Sequence, residues 1–305
     1  DASPRAERLP AQRSARRLAS RRNDRLGCII PRMDLDRVLA ALAADPAAPC
    51  DVAEVALWLA HDEFSDLDVA ACLAQLHEFA DQARPFLHGD LEDRVQEFSH
   101  ILFDDLRFRG NVQNYYEADN SYLNRVLDRR VGIPITLSLV TMAIGVRAGL
   151  EVVGVGLPGH FITKAVRGGR EVLFDPFHGG HILTPDECEQ LVQQVIGVPF
   201  VATPEHFEAV PPGRLLRRML TNLKGVYLRT EEFDKAARTI GRIRQLVPED
   251  VDEGRDLGVC LMRCGQAGRA IDLLNQYLAA APQCEDADKV RQLVEKARCE
   301  VARWN

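Results

Sequence analysis

The sequence predicts an α+β protein in three parts: a helical N-terminal bundle, a core with a buried helix and a small antiparallel sheet, and C-terminal α-helical hairpins. Three observations carry this reading. Apolar residues between Asp34 and Arg109 recur at helical spacing. The most apolar stretch, Ile135 to Leu150, is followed by three short runs of β-forming residues. Beyond a segment rich in proline and glycine, a residue pattern returns after 34 positions.

The bundle is read from four stripes. Val38, Leu39 and Leu42 begin the first. Val52, Val55, Ala56 and Leu59 form the second, with Asp51 placed to cap it and Glu54 three residues on. Val69, Leu73, Leu76 and Phe79 form the third. Val95, Phe98, Ile101 and Leu102 form the fourth, after a break at Pro85 and His88-Gly89-Asp90.

In the centre, Asn120-Ser121 precedes a short helix containing Leu123, Val126 and Leu127. Gly132-Ile133-Pro134 stops it and opens the buried helix. Pro134 suits a first turn, where an amide hydrogen has no helical partner, and Gly149 suits the cap at the other end. Asn is a poor interior helix residue, so Asn124 predicts a side-chain hydrogen bond to a loop, with the Gly132–Pro134 turn the nearest candidate. Val152–Leu157, His160–Val166 and Glu171–Phe174 read as strands, the last two joined by Gly168-Gly169 as a hairpin turn. Residues 182–184 suggest an edge strand, and Pro185–Ile196 a helix.

Residues 197–213 hold six prolines and glycines and read as a linker between residues 33–196 and 214–305. In the tail, Leu223, Ala236, Ile240, Ile243 and Pro248 recur as Leu257, Ala270, Leu274, Tyr277 and Pro282, the period of a tetratricopeptide repeat. The match is incomplete. Lys224 stands where the second unit has the small Gly258, and Leu220 and Gly254 stand where a large aromatic belongs. Two such units need a neighbouring core and a closing helix, expected over Glu285 to Ala302.

The formal charge of −7 hides a split. Residues 1–32 carry nine Arg and three acids, a net of +6. The remainder holds 29 basic and 42 acidic residues, a net of −13. The leader reads as a disordered basic arm, transit-peptide-like in composition, or as sequence upstream of the folded protein. The acidic body argues against nucleic acid as partner. The eight cysteines are scattered with no CxxC pair, which fits reduced core thiols and a cytoplasmic location. No run of apolar residues is long enough to span a membrane. Arg129-Arg130 and Arg217-Arg218 read as solvated pairs. Tyr115-Tyr116 either lines a groove or packs on the central helix.

The runs Asn120–Leu127, Gly132–Ser138, Leu157-Pro158-Gly159-His160-Phe161 and Phe174-Asp175-Pro176-Phe177-His178-Gly179-Gly180 resemble a bacterial family. It is the transglutaminase-like, tetratricopeptide-containing SirB type. The resemblance implies a papain-like core. In active relatives a Cys begins the buried helix, a His lies on the next strand and an Asp on the strand after. The thiolate attacks an amide carbonyl, His moves the proton and Asp orients His. His160 and Asp175 match the last two positions. The nucleophile position falls near Pro134, and no Cys lies between Cys72 and Cys188.

The expectation is therefore a non-catalytic, protein- or peptide-binding or regulatory chain, acting through the core groove and the repeat surface. The alternative is an amide hydrolase or acyl transferase using Thr136 or Ser138 with His160 and Asp175. Helical geometry opposes that alternative for a hydroxyl one or two residues along the helix, where the side chain points about 100 or 200° away. Asn120, Asn124, Gly132, Pro134, Ser138, Gly159 and Gly180 are expected to shape the groove or hold it in place. His160, Asp175, His178 and His181 are metal-binding types, but their spacing fits no helical or knuckle pattern, so neither metal nor cofactor is expected. Cys188, among acidic neighbours, is a poor substitute nucleophile. Cys260 and Cys264 read as core residues of a repeat helix.

Overall fold

A computed structural model describes residues 33–303. The basic leader lies outside the described residues. Residues 34–303 cluster as one compact unit.

The four expected bundle helices are α1 (Leu35–Ala44), α2 (Val52–Ala60), α3 (Val69–Ala83) and α4 (Leu91–Ser99). Each starts on an aspartate whose side chain accepts from first-turn amides: Asp34, Asp51, Asp68 and Asp90. These caps satisfy donors that have no partner inside a helix. The apolar stripe of α4 does not end with it. It runs on into a π-helical turn over His100–Asp105, which buries Ile101 and Leu102.

The centre contains a two-residue parallel pair, β1 (Arg109–Gly110) with β2 (Val131–Gly132), flanking α5 (Leu123–Arg129). Then come α6 (Pro134–Ala148), β3 (Val152–Leu157), β4 (His160–Arg167), β5 (Arg170–Asp175), β6 (His181–Leu183) and α7 (Pro185–Ile196). Strands β3 to β6 form an antiparallel meander in sequence order. Pro134 opens α6 and Gly149 caps it in the left-handed conformation, as the sequence predicts. Helix α6 is buried nearly all round and lies on one face of the sheet: the Cβ position of Gly145 is 2.7 Å from Val152, and that of Gly154 is 3.2 Å from Met142. The other face, with Val155, Leu157 and Ile162, packs on Cys188 and Val192 of α7 and on Phe200 and Phe207.

The segment 197–213 lies along this sheet. The Val210 amide donates to the Gly154 carbonyl, Ala209 bridges to Val155, and the Gly213 amide donates to the Pro46 carbonyl.

The tail is α8 (Pro212–Arg229), α9 (Phe233–Leu246), α10 (Val251–Arg263), α11 (Ala267–Ala280) and α12 (Ala287–Ala302). The small positions hold close helix approaches. Ala236 and Ala270 are fully buried, and a Cβ on Gly258 would stand 2.7 Å from Leu274. Lys224 explains its own departure from the repeat. Its ammonium reaches across to α10 and pairs with Glu253 and Asp256 at 2.7 and 2.6 Å. Between core and tail, Tyr122, Ala60, Leu223, Tyr227 and Ile240 share one apolar cluster, and the two tyrosine hydroxyls are hydrogen-bonded at 2.6 Å. Among the described residues no helix is long and apolar enough to cross a membrane.

Candidate functional site

His160 is the first residue of β4, after the Pro158-Gly159 turn, and Asp175 is the last residue of β5. Antiparallel pairing brings these two strand ends together. Pro176–His178 then forms a single 3₁₀ turn capped by Asp175 itself, whose Oδ1 accepts from the Phe177 amide at 2.9 Å. The other carboxylate oxygen, Oδ2, meets two imidazoles: His160 Nε2 at 2.8 Å and His178 Nδ1 at 2.7 Å. An ionised carboxylate only accepts, so both ring nitrogens donate. The two imidazoles stack, with centroids 5.7 Å apart, and Phe177 meets His160 edge-on.

Asp175 is 1% exposed and His160 4%. Burial works against ionisation of Asp175, but the hydrogen bonds from His160 and His178 outweigh it and hold the carboxyl well below the usual range. The same bond raises His178 above an ordinary histidine, against a smaller opposing effect of burial. The His160–Asp175 pair follows the resemblance. The bond from His178 does not, and nothing in the spacing of residues 175–178 marks it.

The start of α6 is held by main-chain bonds. Thr136 Oγ1 accepts from the Ile133 amide at 3.1 Å and donates to the Asn120 carbonyl at 2.7 Å. Ser138 Oγ donates to the Phe161 carbonyl at 3.4 Å. Both hydroxyls are fully buried, and neither is among the hydrogen-bond partners of His160 in the described residues. Asn120 is fully buried. Its amide nitrogen donates to the carbonyls of Asn114 and Tyr115, and its oxygen accepts from Asn111.

Asn124 departs from expectation. Its side-chain oxygen is buried without a hydrogen-bond partner among the described residues, and the Gly132–Pro134 turn is held by Thr136 and Asn120 instead. The β-branched hydroxyl inside the helix's own first turn reaches the turn first. Gly132 lies in β2 beside Thr136, and Gly159 lies in the β3–β4 turn against Val195. Gly180 has a φ of +75°, and a Cβ there would stand 2.3 Å from Ser99 Oγ, whose hydroxyl donates to the Gly180 carbonyl. Both the backbone conformation and the close approach require glycine there.

Residues 70–221 match the family model described as Transglutaminase-like superfamily, and residues 223–295 match Tetratricopeptide repeat. A UPF0162 protein of Xylella fastidiosa (strain Temecula1 / ATCC 700964) is 32% identical over 246 residues, which cover 77% of this chain and 86% of that protein. The chain belongs to the UPF0162 family. A UPF0162 protein of Vibrio cholerae is 28% identical over 206 residues, covering 67% of this chain and 72% of the relative. F-box only protein 21 of Homo sapiens is 31% identical over 153 residues, 47% of this chain and 23% of that protein.

The two family matches meet at residues 221 and 223, inside α8. This helix carries a supporting residue that the sequence reading missed. Arg218 was expected in solvent, yet its guanidinium donates to the carbonyls of Leu157 and His160 at 2.8 and 2.5 Å and lies over Phe161. Gly156 leaves room for it: a Cβ there would stand 3.0 Å from Arg218 Nη1. Burial lowers the Arg218 pKa, partly offset by Tyr115.

The other basic residues are also partnered. Arg130 lies over Phe79 and Phe108, Arg129 pairs with Glu117, and Arg217 pairs with Asp250. Tyr115 meets Phe177 edge-on, at the border of the histidine pair, while Tyr116 lies under Arg229. The Cys188 thiol is fully buried and pushed up to about 12, by burial first and then by Asp175 and Glu187. Cys260 is likewise buried in the tail.

Proposed function

We propose that this chain is a protein-binding member of the superfamily that does not transfer acyl groups. One observation carries the reading. Where α6 begins, near the position that the family resemblance gives to the nucleophile, stands Pro134, which offers neither thiol nor hydroxyl, and no Cys lies between Cys72 and Cys188. Thr136 and Ser138 are engaged with main-chain oxygens, which weighs against their use as substitutes. His160 and Asp175 then serve to order the strand ends and present a polar groove. The tail adds the concave face that stacked helical repeats offer to peptide and protein partners. The motifs from 120 to 180 are of the SirB type, a name that carries no mechanism. The reading includes a cytoplasmic location and no nucleic-acid partner, from the scattered thiols and the acidic body.

The test incubates the full chain with amide and peptide libraries beside a His160→Ala variant. The expected result is equal, background turnover in both. Turnover by the wild type that disappears in the variant overturns the proposal and restores a hydroxyl nucleophile. Partner capture is best compared between full chains carrying point changes on α10–α12 or at His178, because α8 packs on the core and a cut near Val210 removes Arg218 from it.

A further inference from the structure

We propose that His160, Asp175 and His178 form a binding site for one divalent first-row transition ion, zinc foremost. The three donor atoms, two imidazole nitrogens and one carboxylate oxygen, lie within 4.8 Å of one another. A strand-ordering pair needs one imidazole on Asp175. Here a second imidazole from the following turn converges on the same oxygen, completing a two-histidine, one-carboxylate set.

Zinc bonds nitrogen and oxygen at about 2.0–2.2 Å, so tetrahedral donors stand about 3.3 Å apart. The nitrogens now sit 2.7 and 2.8 Å from the oxygen, so each gap must open by roughly half an ångström. His178 is the residue able to yield. Its side chain is 52% exposed and it rides on a single 3₁₀ turn. The ion would replace the two N–H protons that now satisfy the carboxylate.

The surroundings fit a metal centre in two further ways. The donors have outer support: Asp175 Oδ1 is fixed by the Phe177 amide, and the His160 main chain is fixed by Arg218. Beside the carboxylate a solvent-open cavity of about 340 Å³ is lined by Asp175, His178, His181 and Glu187 together with the aliphatic Leu183 and Leu191. Three protein ligands beside an open space of mixed polar and apolar lining is the arrangement of zinc sites that keep a position for water or substrate, rather than of closed structural sites. Two imidazoles with one carboxylate also select zinc, iron or cobalt over magnesium and calcium, which take oxygen shells.

The experiment titrates the full-length protein with Co²⁺, read by visible absorption, and with Zn²⁺, read by calorimetry. The variants are His178→Ala and His181→Ala, both exposed positions, with circular dichroism checking the fold. The expected result is one equivalent bound, a nitrogen/oxygen-type cobalt spectrum, a loss of affinity of about tenfold or more in His178→Ala, and unchanged binding in His181→Ala. Three outcomes overturn the proposal: no binding by the folded wild type, wild-type affinity in His178→Ala, or a strong thiolate-to-cobalt band that assigns the ion to cysteines.

Discussion

Around α6, buried polar side chains other than Asn124 bond to main-chain atoms or to each other: Asn120 to two carbonyls, Thr136 to a carbonyl and an amide, His160 to Asp175. In the tail the prominent buried polar group is an ion cluster, Lys224 with Glu253 and Asp256, set among alanines and aliphatics. The core thus fixes its loops by directional bonds that each need one geometry. The tail fixes helix against helix by packing and by ion pairs, among them Lys224 of α8 with Glu253 and Asp256 of α10, and Arg217 with Asp250. The difference teaches where each region is brittle: the core at single atoms, the tail at single pairs.

The largest expected effect tests the tail. Lys224→Met leaves Glu253 buried without its cation and should cost about 3–5 kcal/mol, measured by urea unfolding. Adding Glu253→Gln should recover part of that loss. If Lys224→Met is neutral, this ion cluster does not hold α8 to α10.

In the core, Gly180→Ala adds a left-handed backbone penalty and a collision with Ser99, together about 2–3 kcal/mol by thermal unfolding. A loss below about 1 kcal/mol would show that the 180 turn can move away from α4.

Arg218→Met bridges the two regions. It takes the donor from two carbonyls and should cost about 2 kcal/mol, with faster amide exchange concentrated at the start of β4. Uniform exchange across the chain would contradict a local role.

The smallest effect is expected at Asn124. Its oxygen is buried with no partner among the described residues, so Asn124→Leu should stay within about 1 kcal/mol of wild type in the same unfolding assay. A marked loss would restore the loop bond that the sequence suggested.

Much of the fold was legible because local chemistry decided it. Pro134 and Gly149 bound α6, and Gly168-Gly169 turn the hairpin. Asp51, read as the cap of α2, accepts from amides two and three residues on, a range at which sequence speaks plainly. His160 and Asp175 were found by resemblance, and the strand register brought them together. What stayed hidden is long-range or one-sided. The role of Arg218 depends on residues 58 and 61 positions earlier. His178 bonds Asp175 only because the 3₁₀ turn folds its ring back over that of His160. Lys224 read as a flaw in a repeat, because its partners Glu253 and Asp256 belong to the next unit. The proline-rich stretch read as a linker from composition, while its amides at Val210 and Gly213 find acceptors on the sheet and on Pro46.

The reach of Arg218 also sets an order of events during synthesis. The strand-turn that presents His160 leaves the ribosome well before the guanidinium that holds it, by 58 residues of chain. Until α8 emerges, the carbonyls of Leu157 and His160 lack the guanidinium that later holds them. The nascent core therefore reaches its final turn geometry late, as a long-range step of the kind that slows folding. Ribosome-stalled chains ending at 210 should be cut by protease near Pro158, and chains ending beyond α8 should resist.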